Sequence, residues 1–529
     1  MQPVEALRQW PRPPAQDRRT WPAHPLFRRY RVSSVSPIRA SAPASTSPQP
    51  AGQGTEAAEA STPREVDVLV VGGGVCGTAL LFELARYTDL PRLALIERYE
   101  QLAQVNSKAT SNSQTIHCGD IETNYTLEKA LRVKRTAEMV VRFGDLLEGE
   151  ERERCLFRTP KMVLGVGERE CASLRQRFEL FSPHFPAMQL LEKEDIAAWE
   201  PAVALVNGVP RSEELVAIGI REAATAVDYE ALSAAFVRQA HAAVEGSARC
   251  IDLALGTSVE TITSEGETFL VETQSKAAGR QLWRARHVVV NAGAHSLLMA
   301  QRMGHGLRYS CLPVAGSFYF TPELLNGKVY TVQNDKLPFA ALHGDPDVGA
   351  PGQTRFGPTA LLLPLLERYR LGSFFEFLEV LRLDLAVLAV LWQLLGNSDI
   401  RAYIVRNLLF EVPWLRRRLF LRDVRKIVPG MALNDLSFAE GYGGVRPQLI
   451  DKQARKLMLG EVRIEAGPGL VFNVTPSPGG TCCLGVAALD LEAIVARSGC
   501  RFARDRFEAE LYGKDAGEDS ASCPQSLAA

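Results

Sequence analysis

The chain has 529 residues, 46% of them hydrophobic, enough for two to four domains with substantial cores. Its 60 lysines and arginines nearly balance 61 aspartates and glutamates, which excludes the basic field that nucleic-acid binding needs. The ten cysteines include no CxxC pair, so neither a zinc site nor a thioredoxin-type redox pair is signalled; the adjacent Cys482 and Cys483 are assigned to packing, because a vicinal disulfide would be strained.

Residues 1–61 do not read as a folded domain. Arginine recurs from Arg8 to Arg39, lysine is absent, and the composition turns to serine, alanine and proline after Ser33. An arginine- and serine-rich, acid-poor leader suits a mitochondrial presequence; a plastid transit peptide or a disordered tail has a similar composition.

The next stretch organises the chain. Val66–Val71 reads as a buried strand, Gly72-Gly73-Gly74-Val75-Cys76-Gly77 as a glycine-rich turn, Thr78–Tyr87 as a helix and Leu93–Ile96 as a second strand ending on Glu97. This is the order of a dinucleotide-binding βαβ unit. Gly72 allows the tight turn, Gly74 the approach of a pyrophosphate, and Gly77 close helix packing, while Glu97 stands where a carboxylate would accept ribose hydroxyls. The helix N-terminus faces the phosphates.

A polar loop follows from Asn106 to Tyr125, with His117 inside it. Helices are expected at Leu127–Leu147, Glu168–Phe181, Lys193–Trp199 and Tyr229–Ala242, the last capped by Asp228. Strands are expected at Met162–Val166, Val259–Thr263, Thr268–Thr273 and His287–Asn291. The last runs into Ala292-Gly293-Ala294, a small-residue turn that would pack beside the first glycine loop and near a cofactor. Any layered α/β domain also needs small residues there.

Phe374–Leu395 reads as one helix with a polar stripe through Glu376, Glu379 and Arg382 and apolar other faces. Its apolar part, Leu385–Trp392, is too short to span a bilayer. The helix either docks on the core or lies in a membrane interface, helped by Trp414 and Arg416-Arg417-Arg418. Further on, Gly441–Val445 is a glycine-rich approach to Arg446. Gly467–Val474 gives a turn and strand, and Thr475–Thr481 leads into a helix from about Cys482 to Arg497.

Four of these segments carry a resemblance: Val71–Gly77, Asn112–Tyr125, Gly441–Pro447 and Gly467–Cys483. Together they resemble the malate:quinone oxidoreductases, FAD enzymes of the D-amino-acid-oxidase-like superfamily, over roughly residues 65 to 500. Cys482 departs from the small polar residue expected at that helix start. The resemblance implies an α/β fold of the glutathione-reductase-like, D-amino-acid-oxidase type: a Rossmann-like FAD-binding domain with a second, discontinuous α+β substrate domain. The segments divide as a leader at 1–61, an FAD-binding domain at 62–125, 225–300 and 426–512, a substrate domain at 126–224 and 301–425, and a tail at 513–529. The resemblance further implies FAD-dependent oxidation of L-malate to oxaloacetate, electron transfer to ubiquinone or another membrane quinone, peripheral membrane association and, with this leader, a place on the mitochondrial inner membrane.

The chemistry requires a base, fixed cations and cofactor contacts. His117 is the candidate base, with an imidazole suited to neutral pH; a structural histidine or a point of flavin attachment are the alternatives. Asn112, Ser113, Gln114, Ala292, Gly293, Gly480 and Thr481 are assigned to the cofactor. Arg446 is the candidate carboxylate clamp, since guanidinium offers a bidentate fork; an ordinary surface ion pair is the alternative. Arg355 is the second candidate cation, and His343 a second acid or base unless His343-Gly344-Asp345 is only a polar turn. Competing functions are an FAD-dependent 2-hydroxyglutarate dehydrogenase, another 2-hydroxy or amino acid oxidoreductase of that superfamily, and a catalytically idle flavoprotein scaffold.

Overall fold

Both faces of the first strand are apolar, so it must lie inside a layered sheet. A computed structural model describes residues 62–333, 341–458, 460–476 and 478–513; the expected leader, and the expected tail beyond Gly513, lie outside them. The strand Arg64–Val71 is flanked in parallel by Arg92–Ile96 and by Gly279–Val290. Cys250–Ala254 extends the parallel side. Phe269–Ser275 pairs antiparallel with the first part of the long strand, whereas its last residues, Val288–Val290, pair in parallel with Leu470–Phe472. Val68 and Val70 point into one core and Leu69 and Val71 into the other. The helix Val75–Tyr87 covers the first face, its Phe82 ring set against Phe143 and Phe236.

A second eight-stranded sheet has the order Ser437–Phe438, Tyr319–Pro322, Gln353–Gly357, His343–Pro346, Lys328–Thr331, Lys161–Val166, Leu215–Ile220 and Gln189–Leu191. Only the pairing of Lys328–Thr331 with Lys161–Val166 is parallel. His343-Gly344-Asp345 is therefore strand and not the turn its composition allowed, because its backbone pairs on both sides, with Val329–Tyr330 and with Arg355–Gly357.

A third, smaller sheet places Val445–Asp451 antiparallel to Tyr309–Ala315. Its outer face is covered by short helices. Here the single helix expected over Phe374–Leu395 is corrected to two, Ser373–Leu381 and Leu385–Gly396. Arg382 is left-handed at φ 41° and ends the first; the Asp384 carboxylate accepts the Ala386 and Val387 N–H groups and starts the second. An N-cap of this kind is the commonest way to begin a helix. Val387 and Val390 pack down on Leu312 and Ile450, while Leu385 (85% exposed) and Trp392 (80%) point outward. Among the described residues no helix is long and apolar enough to cross a membrane.

Candidate active site

The carboxyl ends of the first two strands open on a cavity of about 260 Å³. The glycine loop forms one wall. A Cβ on Gly72 (φ 110°) would sit 2.4 Å from the Asn291 carbonyl oxygen, and one on Gly77 would sit 1.9 Å from the Gly72 oxygen. The first glycine thus seats the loop against the Asn291-Ala292-Gly293 turn, and the last lets the helix close on it. Gly72 and Gly74 line the cavity, whereas Gly77 lies behind, as packing. Glu97 also lines it, and its two oxygens already accept the Gly73 N–H (2.6 Å) and the Tyr99 N–H (2.9 Å), so the carboxylate fixes the loop as well as facing the ribose position. Burial raises its pKa despite those two bonds.

The loop after the second strand forms the opposite wall. Asn112, Ser113, Thr115 and His117 line the cavity, but Gln114 does not. The expected cofactor contact at Gln114 is corrected: its side chain is fully buried, donates to the Ala109 carbonyl and accepts the Val348 N–H, so it braces the loop. The Asn112 amide likewise donates to the carbonyls of Asn106 and Lys108 while its residue edges the cavity. Ala292, Gly293, Gly480 and Thr481 also line the cavity, and the Thr481 hydroxyl accepts the His117 N–H at 3.1 Å.

His117 Nδ1 lies 2.9 Å from Glu122 Oε1. With Nδ1–H donated to the carboxylate, Nε2 keeps its lone pair, the state a general base needs. Burial pushes the Glu122 carboxyl up, yet the His117 hydrogen bond and the charges of His117 and Lys161 bring it to a net value below the usual range. Lys161 is itself 2.7 Å from Asp120. The sequence reading missed Glu122, because an i+5 pair in an irregular loop obeys no helix or strand periodicity.

Arg446 reaches the cavity past Gly443 and Gly444. A Cβ on Gly443 (φ 116°) would lie 1.9 Å from the Gly316 oxygen, so only glycine threads the chain between that turn and the Ser111 loop. Burial lowers Arg446, with Tyr330, Tyr403 and Tyr125 as its electrostatic neighbours, but a guanidinium stays charged. Among the described residues no carboxylate pairs with it.

The other two candidates lie elsewhere. Arg355 is 0% exposed, does not line the cavity, and faces Asp347 (3.1 Å) and Asp345 (3.5 Å). It donates to the Asn112 carbonyl at 3.2 Å. The substrate cation expected there is corrected to a cation that holds the loop from behind. His343 is buried beside Asp345 (3.3 Å) with its ring over Tyr330, away from the cavity. Burial, with Lys328 and Arg355 nearby, lowers its pKa well below the ordinary value, so it stays neutral. Lys328 completes this buried group. Its ammonium donates to the Thr115 hydroxyl (2.8 Å) and the Ser113 carbonyl (3.1 Å) and faces Asp345 (3.1 Å).

A glycine cradle at a helix N-terminus, a carboxylate at the ribose position and an opposite wall bearing His117 and Arg446 fit a flavin dinucleotide. Residues 67–489 match the model of the FAD dependent oxidoreductase family. The chain is 47% identical over 454 residues to a "Probable malate:quinone oxidoreductase" of Campylobacter jejuni, covering 85% of this chain and 99% of that one. It is 42% identical over 450 residues to a "Malate:quinone oxidoreductase" of Helicobacter pylori, covering 84% and 98%. Among solved structures, L-alpha-glycerophosphate oxidase from Mycoplasma pneumoniae with FAD bound and glycine oxidase from Geobacillus kaustophilus each superpose with a TM-score of 0.55. Their identities are 20% and 19%, and each comparison covers 82% of this chain and 95% of the other; the likeness is one of fold.

Proposed function

The chain belongs to the malate:quinone oxidoreductases, within the FAD-dependent oxidoreductase family, and we propose that it oxidises L-malate to oxaloacetate beside Arg446 and His117 and passes the electrons to a membrane quinone. The observation that carries this reading is that a cation with no carboxylate partner among the described residues and a carboxylate-bound imidazole face one cavity with the nucleotide loop.

Bound FAD supplies the acceptor that takes the C2 hydride and hands both electrons on to quinone. The rest falls to the chain. Arg446 takes one substrate carboxylate with two parallel N–H bonds, which fixes C2 against one wall. His117 Nε2 accepts the hydroxyl proton as the C–O bond becomes a carbonyl. Glu122 holds the ring and stabilises the imidazolium that results, the role a carboxylate plays behind any catalytic histidine. Arg355, Lys328 and Gln114 fix the backbone at 112–115 that carries one wall of the site.

The finer placement is part of the same proposal. Leu371, Phe375, Leu385, Trp392 and Trp414 stand outward on or beside the short helices, and such a face with the exposed Arg418 suits peripheral contact with a bilayer interface, whereas Arg416 lies over Phe438 and Arg417 donates to the Leu433 carbonyl. The arginine-rich first 61 residues favour mitochondrial import; joining them to a reporter tests this, and a reporter that stays outside the organelle contradicts it. The activity itself is tested by anaerobic mixing of the holoenzyme with L-malate. The flavin absorbance bleaches and a quinone analogue restores it. Bleaching by 2-hydroxyglutarate but not L-malate would overturn the substrate, and bleaching by neither would overturn the reaction.

A further inference from the structure

Malate carries two carboxylates, and Arg446 accounts for one. Arg355 is committed to Asp345 and Asp347, and Lys328 to Asp345 and the 113–115 loop. Arg98, which also lines the cavity, pairs with Glu367 beside Tyr99, toward the Glu97 end. The partner for the second carboxylate must then be sought beside Arg446 itself.

Side chains alternate along Val445–Asp451, so Arg446, Gln448 and Ile450 share a face. They stand opposite Val314, Leu312 and Ser310 of the neighbouring strand. On this face lies a second, small cavity of about 10 Å³ bounded by Gly316, Thr359, Arg446 and Gln448. Arg446 and Gly316 line both cavities, so Arg446 stands at the boundary between them. A space of this size takes about one water-sized oxygen. Gln448 is 8% exposed, and its Oε1 is a buried atom with no hydrogen-bond partner among the described residues. An amide can turn over to present either its oxygen or its NH2, so Gln448, which lines this space, can act as a donor to an anion.

We propose that Gln448 is the specificity-determining residue that receives the second carboxylate of the dicarboxylate substrate, one of whose oxygens enters the small cavity past Arg446. The inference rests on the malate reading above. It assigns the choice between a dicarboxylate and a monocarboxylate to a neutral amide instead of a second cation. A site built to hydrogen-bond a substrate group discriminates against the analogue that lacks it.

The test compares L-malate with L-lactate in FAD-loaded wild-type protein and in Gln448→Met, which nearly keeps the side-chain volume, with Gln448→Asn as the second variant should the first lose its flavin. Dissociation constants are read by anaerobic rapid mixing, from the concentration dependence of the flavin-reduction rate for malate and from competition with it for lactate. The proposal expects the preference for malate over lactate to fall by about tenfold or more, the effect of one hydrogen bond to a charged group, with lactate binding unchanged. Equal weakening of both acids would mean that Gln448 acts only by holding Arg446, and an unchanged preference would mean that it does not meet the substrate; either result overturns the proposal. A wild-type flavin that malate fails to reduce would instead overturn the substrate assignment on which it rests.

Discussion

Arg446 and Arg355 are the same side chain in opposite settings. Arg355 sits in the large second sheet between two aspartates, with a loop carbonyl on a third side. Arg446 sits at the end of a glycine-threaded strand among tyrosines, facing the flavin cavity. A buried cation with its counter-ions in place has its charge already met, while one with no carboxylate partner among the described residues is poised for a substrate carboxylate. The difference lies in partners supplied from elsewhere in the chain, and it divides structure-holding charge from substrate-binding charge.

The largest effect that would break this contrast is on stability. Arg355→Met strands Asp347 and leaves Asp345 to Lys328, and removing one member of a buried ion pair costs about 3–5 kcal/mol. Chemical unfolding of the holoenzyme should report a loss of that order, and a loss below about 1 kcal/mol would mean that the aspartates had other support.

Lys328 sharpens the same side. Burial, against the pull of Asp345, lowers its ammonium from 10.5 to about 8. Between those values the unfolded chain holds the extra proton, so stability rises with pH across about pH 8 to 10.5, by roughly 3 kcal/mol at most. Lys328→Met should remove that slope in parallel unfolding curves; a slope that survives would place its origin in another group.

On the catalytic side, Glu122→Gln leaves the ring its neighbour but not its counter-charge. The rate of flavin reduction should fall about ten- to hundredfold with little change in malate affinity. Because the folded Glu122 pKa is depressed, its stabilising contribution is present above the ordinary carboxylate range and is lost as pH falls through the folded value. The same depression keeps Glu122 ionised at neutral pH, so the variant's slower flavin reduction should persist in rapid-mixing rates across the neutral range. A variant that reduces its flavin at the wild-type rate would remove Glu122 from the mechanism.

The smallest folding effect belongs to the helices over the Arg446 sheet. Trp392→Glu changes an outward side chain, so stability should move by no more than about 0.5 kcal/mol, while co-sedimentation with anionic vesicles should drop. Full retention on vesicles would move the membrane contact elsewhere.

Much of this was readable in the chain. The βαβ unit declared itself through a buried strand, spaced glycines and a terminal acid, because its determinants are local. Arg446 was readable for the same reason, through the glycines before it. Arg355, Gln114 and His343 misled because their settings depend on strands and loops up to 243 residues away, and a residue type reveals no partner. The second sheet was only partly visible, since strands such as His343–Pro346 are four residues long and carry polar side chains inward to pair with one another. The helix break at Arg382 needed the Asp384 cap to be weighed above an unbroken apolar pattern.

The most direct measurement sets the two arginines against each other: the dependence of the anaerobic flavin-reduction rate on L-malate concentration in Arg446→Lys and in Arg355→Lys. Losing a bidentate fork to a point charge should raise the malate dissociation constant of Arg446→Lys at least about tenfold with FAD retained. Arg355→Lys should stay within about twofold of wild type while unfolding more easily. Wild-type malate affinity in Arg446→Lys, or a selective loss of affinity in Arg355→Lys, would contradict the account.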